Sequence, residues 1–305
     1  MLTEHESLTI EKLGCGALAL HPGHRFAQVE IQQVIGEGGF SIVYQAFDHR
    51  QQRCVAVKEY LPTTIATRNS DGLVVPRNPF LLATFNAGRN YFRQEATILT
   101  SLSHPAVPQC FDFWQENGTA YISMPLYGGK TLKKEYAENP AIVSEAWLRR
   151  LLASLLNTLA AVHRQGCLHR DISWDNIQIE ENHPPILLDF GSACFRAAGC
   201  PQKPNLVLKP GFSPAELYYN TGGYAHGPWS DIYSLGALMY TLITGHVPPV
   251  GLTRCIADTY QPLAQCQPAG YSPPFLRAID AALGVNPVDR PQDIAAFARL
   301  LAGTP

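Results

Sequence analysis

Asp171, Asn176 and Asp189 are the residues whose types and spacing point most directly to chemistry. Asp171 closes the triplet His169-Arg170-Asp171, Asn176 follows five residues later, and Asp189 opens Asp189-Phe190-Gly191 eighteen residues after Asp171. Two carboxylates and an amide on this spacing fit a strand–loop–strand that handles a metal nucleotide. Asp171 would face a substrate hydroxyl, while Asn176 and Asp189 would hold Mg²⁺ against phosphates. Upstream lie Gly36-Glu37-Gly38-Gly39-Phe40-Ser41-Ile42-Val43 and Val55-Ala56-Val57-Lys58. Glycines let backbone N–H groups close over phosphates without obstruction by a Cβ. An ammonium at the end of a strand can pair with the same phosphates.

The elements that must position these groups fit a chain of 305 residues, long enough for one large or two modest domains. The chain is 46% hydrophobic, with a formal net charge of −2. The absence of a Lys/Arg block argues against nucleic acid or an anionic membrane as partner. No apolar run reaches transmembrane length, and the acidic start Met1-Leu2-Thr3-Glu4-His5-Glu6 lacks a secretory pattern. Eight cysteines without a Cys-x-x-Cys pair read as reduced, mostly buried thiols in a cytoplasmic protein. The nearest pair, Cys194 and Cys200, has no neighbouring His to complete a metal set.

Residues 1–28 carry weak patterning, with a break at Pro22-Gly23. Strand-like runs cover 29–35, 42–48, 53–60, 108–114 and 119–125, as an antiparallel sheet requires. A helix is predicted over 88–102, where Tyr91, Glu95, Ile98, Leu99 and Leu102 recur at helical spacing. Gly128-Gly129 loosens the chain as a hinge would. Beyond it the pattern turns helical. Ser144 caps a helix carrying Trp147, Leu148, Leu151, Leu152, Leu155 and Leu159. Another helix starts near Pro228 and stops at Gly245, and final helices cover 273–283 and 291–302.

In this order the motifs resemble those of a eukaryotic-like protein kinase over roughly residues 29–300. Lys58-Glu59-Tyr60-Leu61-Pro62, followed by a long stretch before Phe92-Arg93-Gln94-Glu95-Ala96, is similar to one group of bacterial serine/threonine kinases. The resemblance implies a bilobal α+β fold, with an antiparallel-sheet N-lobe over 29–126 and a mainly helical C-lobe over 127–305. It implies ATP and Mg²⁺ as cofactors, with Mn²⁺ as a substitute, and a protein as substrate. Gly36, Glu37, Gly38, Gly39, Phe40 and Ser41 would cover the phosphates. Lys58 would pair with them, held by Glu95. Val43 and Ala56 would roof the adenine, Met124 and Leu126 would face it from the hinge, and Gln178 stands where most kinases place an apolar floor. Leu99, Cys110, His169 and Phe190 map onto a hydrophobic column. Asp231 resembles the anchor of the catalytic loop, and Glu216 with Arg290 a buried ion pair. These three are scaffold.

One departure bears on catalysis. Most serine/threonine kinases have a Lys two residues after the catalytic Asp and a Thr seven before the Ala-Pro-Glu acid. Here those positions hold Ser173 and Lys209. The cation and the hydroxyl are exchanged, so the resemblance implies the same physical arrangement entered from opposite sides. From Asp189 to Glu216 the hydroxyl residues are Ser192 and Ser213 alone, neither placed like an activating phosphorylation site. The expectation is therefore an ATP-dependent Ser/Thr protein kinase with Asp171, Lys58, Glu95, Lys209 and Ser173 in the reacting centre. A nucleotide-binding pseudokinase scaffold and a small-molecule phosphotransferase are the alternatives. The first would lack Lys58, Asp171 or Asp189. The second would lack the Glu216, Asp231 and Arg290 set.

Overall fold

A computed structural model describes residues 18–181, 183–198, 200, 208–219 and 226–303. The expected extension over 1–28 falls largely outside them, since 1–17 are not described. The chain forms two compact units, one of residues up to 86 together with 112–126, the other of residues 87–111 and 127 onward.

The first unit is built on a six-stranded antiparallel sheet: β1 (Arg25–Phe26), β2 (Val29–Glu37), β3 (Ser41–Asp48), β4 (Arg53–Tyr60), then, later in the chain, β7 and β8. β3 alternates, with Ile42, Tyr44, Ala46 and Asp48 buried, so one face looks inward. β4 is buried continuously from Val55 to Tyr60, as a central strand must be. Between β4 and the first long helix lies a short hairpin, β5 (Ala66–Arg68) and β6 (Val74–Pro76), which the sequence pattern did not resolve. The helix α1 (Leu82–Ser101) starts six residues before the predicted 88, after a 3₁₀ turn Pro79–Leu81 that uses Pro at its first position. β7 (Asp112–Glu116) sits later than the predicted 108–114, and β8 spans Thr119–Pro125. The turn decides this. Asn117 and Gly118 both take positive φ, 51° and 73°, the two-residue turn that pairs Glu116 with Thr119 and sets the register behind it.

The buried carboxylate of Glu59 ties this unit together. It has no exposure, yet accepts hydrogen bonds from Tyr44 Oη (2.6 Å), Tyr121 Oη (2.7 Å) and Arg68 Nη2 (2.7 Å to each oxygen). Arg68 belongs to the hairpin and also donates to the carbonyls of Leu18 and Gly72. The hairpin is thus tied to the sheet by this ion pair and by the Val74 N–H, which donates to the Asn117 carbonyl at 2.8 Å.

The second unit is mainly helical, with short strands. After β9 (Lys130–Thr131) and α2 (Leu132–Glu138) comes α3 (Glu145–Arg164), capped as predicted by Ser144, whose Oγ accepts from the Trp147 N–H. The strands β10 (Cys167–Leu168), β11 (Ile177–Ile179), β12 (Ile186–Leu187) and β13 (Cys194–Phe195) carry the loops of interest. α4 (Pro228–Thr244) ends where Gly245 adopts φ 77° and returns its N–H to Thr241. Short α5 (Gly251–Arg254) and α6 (Leu263–Cys266) precede α7 (Pro273–Ala282) and α8 (Ile294–Leu301). α8 begins three residues after the predicted 291, because Asp293 caps it. Leu99 and Phe190 share one core with α3 and α4, and Cys110 packs against it.

One expectation is corrected. Cys194 and Cys200 are not reduced thiols but a disulfide, their Cα atoms 5.3 Å apart. β13 pairs Cys194 with Leu168, and the 3₁₀ turn Arg196–Ala198 brings Cys200 back to it. Spacing along the chain carried no sign of that return. The other described cysteines form no disulfide, and they are not mostly buried as expected: Cys167 is buried and Cys110 half-buried, but Cys54, Cys255 and Cys266 are exposed; Cys15 lies outside the described residues.

Arg68→Ala should lower unfolding free energy by about 3–5 kcal/mol, because it leaves the Glu59 charge buried without a counter-charge. Tyr44→Phe removes one bond and should cost about 1–2 kcal/mol. Urea unfolding of the two variants measures the difference. Equal losses would refute the role given to the ion pair.

Candidate active site

The loop leaving β10 is shaped by a single carboxylate. Asp231, in the first turn of α4, is fully buried. Its Oδ2 accepts from the His169 backbone N–H (3.0 Å) and lies 2.8 Å from His163 Nε2, while its Oδ1 accepts from the Arg170 N–H (2.8 Å). Arg170 is held at φ 65°, a left-handed conformation that costs a non-glycine residue about 1–3 kcal/mol. Both amides turn toward the carboxylate in return. Burial by itself would raise the Asp231 pKa. The His163 hydrogen bond and the Arg170 amide outweigh it and hold the group below its ordinary 3.8. His163 was not singled out from sequence. Its signal was a histidine four residues after Leu159 on the apolar face of α3.

His169 is packed, not reactive. Its ring meets Phe190 edge-on at 4.7 Å, its Nε2 donates to the Leu188 carbonyl (3.1 Å), and its Nδ1 accepts from the Asp171 N–H (3.2 Å). An acceptor at Nδ1 requires the neutral ring, and burial pushes the pKa below the ordinary 6.5.

Asp171, Asn176, Ser173 and Lys209 come together. Asn176 Nδ2 donates to both the carbonyl and Oδ2 of Asp171, each at 2.8 Å. Lys209 Nζ donates to Ser173 Oγ at 2.7 Å and lies 3.4 Å from Asp171 Oδ1. The lysine starts from a closed turn. Its N–H donates to Ser213 Oγ (2.9 Å), and the Phe212 and Ser213 N–H groups return to its carbonyl (3.1 and 2.9 Å). Gly211 in this turn has φ 84°, and a Cβ there would stand 2.8 Å from the Pro248 carbonyl oxygen. For Asp171, burial raises the pKa most, Lys209 pulls it down and Asp189 pushes it up, leaving it at about 7. Such a carboxylate can accept a proton near neutrality. Asp189 follows β12 at φ 59° and accepts from the Gly191 N–H (3.1 Å). With Nδ2 committed to Asp171, the polar atom left on Asn176 is its carbonyl oxygen. That oxygen and the Asp189 carboxylate are hard donors of the kind Mg²⁺ takes.

Other predicted residues sit as follows. Gly36 and Glu37 end β2, Gly38, Gly39 and Phe40 form the turn, and Ser41 and Val43 are on β3, with Ala56 and Lys58 on β4. Met124 is on β8, opposite Ala56, and Leu126 follows it. Lys58 is buried, as is Glu95 on α1. Gln178 on β11 does not present a free amide, since its Nε2 donates to the Gly128 carbonyl at 2.7 Å. Glu216 and Arg290 form the expected pair, both wholly buried, bidentate at 2.7 and 3.1 Å, with Ser230 Oγ adding a bond at 2.8 Å.

Comparison with known proteins agrees with this geometry. The protein kinase domain family matches residues 29–291. The chain belongs to that family. It is 30% identical over 275 residues to serine/threonine-protein kinase PknL of Mycobacterium tuberculosis, covering 88% of this chain and 63% of that protein. It is 29% identical to the serine/threonine-protein kinase pkn3 of Myxococcus xanthus, covering 88% of this chain and 48% of that one. The chain thus spans less than two thirds of these curated relatives. Among solved structures, "PpkA-294 apo form" aligns with a TM-score of 0.83 and 48% identity, over 93% of this chain and 99% of the other. The kinase fold class expected from the motifs holds.

A folded state that keeps His169 neutral refuses the proton that the unfolded chain accepts below pH 6.5. Its contribution to stability is therefore complete above that pH. It is lost below it at up to about 1.4 kcal/mol per pH unit. Urea unfolding between pH 7.5 and 5.5 should show this decline, and His169→Phe should flatten it by about one proton's worth. An unchanged slope would refute the neutral assignment.

Proposed function

We propose that this kinase-family chain transfers the γ-phosphoryl group of ATP to Ser or Thr hydroxyls of a protein. The observation that carries the reading is the Lys209 ammonium, 2.7 Å from Ser173 Oγ and 3.4 Å from Asp171 Oδ1. A cation beside the proton-accepting carboxylate is what a transferring phosphoryl group requires. It rebuilds, from the other side, the arrangement in which the lysine follows the catalytic Asp. Asp171 orients the hydroxyl and takes its proton. Ser173 and Asn176 hold the Asp171 and Lys209 side chains in place. Lys209 offsets charge developing on the phosphoryl oxygens.

ATP and Mg²⁺ fit the residues present. A Cβ at Gly39 would meet no protein atom within 4 Å, one at Gly38 would only touch the Ser41 carbonyl oxygen at 3.7 Å, and neither glycine has positive φ. The demand for glycine there thus comes from what the loop covers. By the kinase resemblance, Gly36 to Ser41 with Lys58 and Glu95 would bind the phosphates, while Val43, Ala56, Met124, Leu126 and Gln178 would border the base. Asn176 and Asp189 would hold Mg²⁺, which would neutralise phosphate charge. ATP as donor and bacterial kinases among the relatives support a signalling role in the cytoplasm.

Asp171→Ala should abolish phosphorylation of a generic protein such as myelin basic protein while ATP still binds. Asp189→Ala should abolish the Mg²⁺-dependent rate. Radiolabelled phosphate transfer, with nucleotide binding by calorimetry, reports both, and activity in either variant would sink the assignment. Lys209→Ala should lower kcat by roughly two orders of magnitude. Ser173→Lys combined with Lys209→Thr should recover part of that loss. Full activity in Lys209→Ala would make Lys209 an ordinary loop lysine. Ser213 is buried under Lys209 and Ser192 follows the metal loop directly, so phosphatase-treated protein should keep its initial rate. Phosphate mapped to either serine, with activity lost on its removal, would contradict this. Autophosphorylation is expected elsewhere, for instance on Thr63 or Thr64.

A further inference from the structure

Arg170 carries a buried charge that no carboxylate among the described residues pairs with. The residue is 2% exposed. Its Nε donates to the Ser192 carbonyl (2.8 Å) and its Nη1 to the Cys200 carbonyl (3.4 Å). Nη1 also lies 3.4 Å from His226 Nδ1. Nη2 has no partner, and no carboxylate pairs with the guanidinium, among the described residues. Burial accordingly pushes its pKa down, with the nearby Asp231 charge opposing. A buried cation held by neutral carbonyls depends on each of them, because any it loses leaves a desolvated donor.

The two carbonyls come from the segment that follows Asp189, and one is delivered by the disulfide. Cys194 lies on β13, opposite Leu168, two residues before Arg170. Its bond to Cys200, six residues on, closes the turn over that strand pair. Both sulfur residues are buried against Leu168. Arg196, inside the loop, donates its N–H to the Gly166 carbonyl at 2.8 Å. The closed loop therefore grips the strand leading into Asp171 at one end and Arg170 at the other.

We propose that Cys194 and Cys200 form a redox-controlled clasp, which in its oxidised form holds the Cys200 carbonyl on Arg170, next to Asp171, and in its reduced form releases it. The proposal rests on the kinase reading, whose rate it regulates. In a cytoplasmic protein a disulfide is more often transient and redox-sensing than structural. Opening needs a dithiol. Its thiolate attacks one sulfur to give a mixed disulfide, and its second thiol displaces the other. Cys194 and Cys200 gain two electrons and two protons, and the dithiol becomes a disulfide. A small-molecule disulfide drives the reverse exchange. Reduction frees Cys200 from Cys194, and Arg170 loses the carbonyl that the bond returned to it.

The test compares the full chain oxidised with glutathione disulfide, reduced with dithiothreitol, and reoxidised. Alkylation and mass spectrometry confirm the state of Cys194 and Cys200. Reduction should slow the initial rate of protein phosphorylation by about tenfold, on the scale of one hydrogen bond to a buried charge. Reoxidation should restore the rate. The Cys194→Ser, Cys200→Ser double variant should run at the reduced rate and ignore the reductant. Hydrogen exchange of the peptide covering 190–200 should speed up on reduction without ATP present. This readout also stands if the double variant fails to fold. Failure of the disulfide to form under oxidation, or its formation with equal rates and equal exchange, overturns the clasp. No activity in either redox state overturns the kinase reading instead, and the exchange difference still decides the clasp.

Discussion

Asp231 is one carboxylate taken wholly out of water, and the shape of the Asp171 loop depends on it. Such a group is stable only if its oxygens are well satisfied. Here they are, by two consecutive backbone amides and an imidazole. Two adjacent amides can face one carboxylate only if the chain between them turns sharply, which places Arg170 in the left-handed region. Asp171 follows that turn, and its direction toward Asn176 and Lys209 is thus inherited from a residue sixty positions away.

Each unit repeats this use of buried carboxylates. Glu59 gathers two tyrosines and Arg68, fastening a hairpin to the sheet. Glu216 gathers Arg290 and Ser230 below the segment after Lys209. Buried ion pairs are weak contributors to net stability but costly to break, so they select one arrangement among many. Arg170 contrasts with these sites, because its buried charge meets carbonyls rather than a carboxylate among the described residues. That contrast is why the covalent bond between Cys194 and Cys200 has something to hold.

The periodic and local features were legible in the sequence. Ser144 and Gly245 bounded their helices because caps act within a single turn. The alternation in 42–48 was visible because a strand half-buried in a sheet shows it directly. The strand predicted over 108–114 runs instead over Asp112–Glu116, because the Asn117-Gly118 turn sets its register. Helix α1 begins before the predicted 88 and runs through Gly88, which a helix tolerates at a cost of about 1 kcal/mol when packing holds it.

The sequence by itself determined which groups are present and in what order: the glycine-rich turn, Lys58, Asp171, Asn176, Asp189, and an exchanged Ser173 and Lys209. Motif order is a property of the chain, so no folding is needed to read it. Only the tertiary structure decided that Lys209 reaches Ser173 across thirty-six residues, that Arg68 is the partner of Glu59, that His163 supports Asp231, and that Cys194 closes on Cys200. These are meetings between segments that share no local pattern. They follow from where strands pair and helices pack, and a linear spacing carries no measure of that.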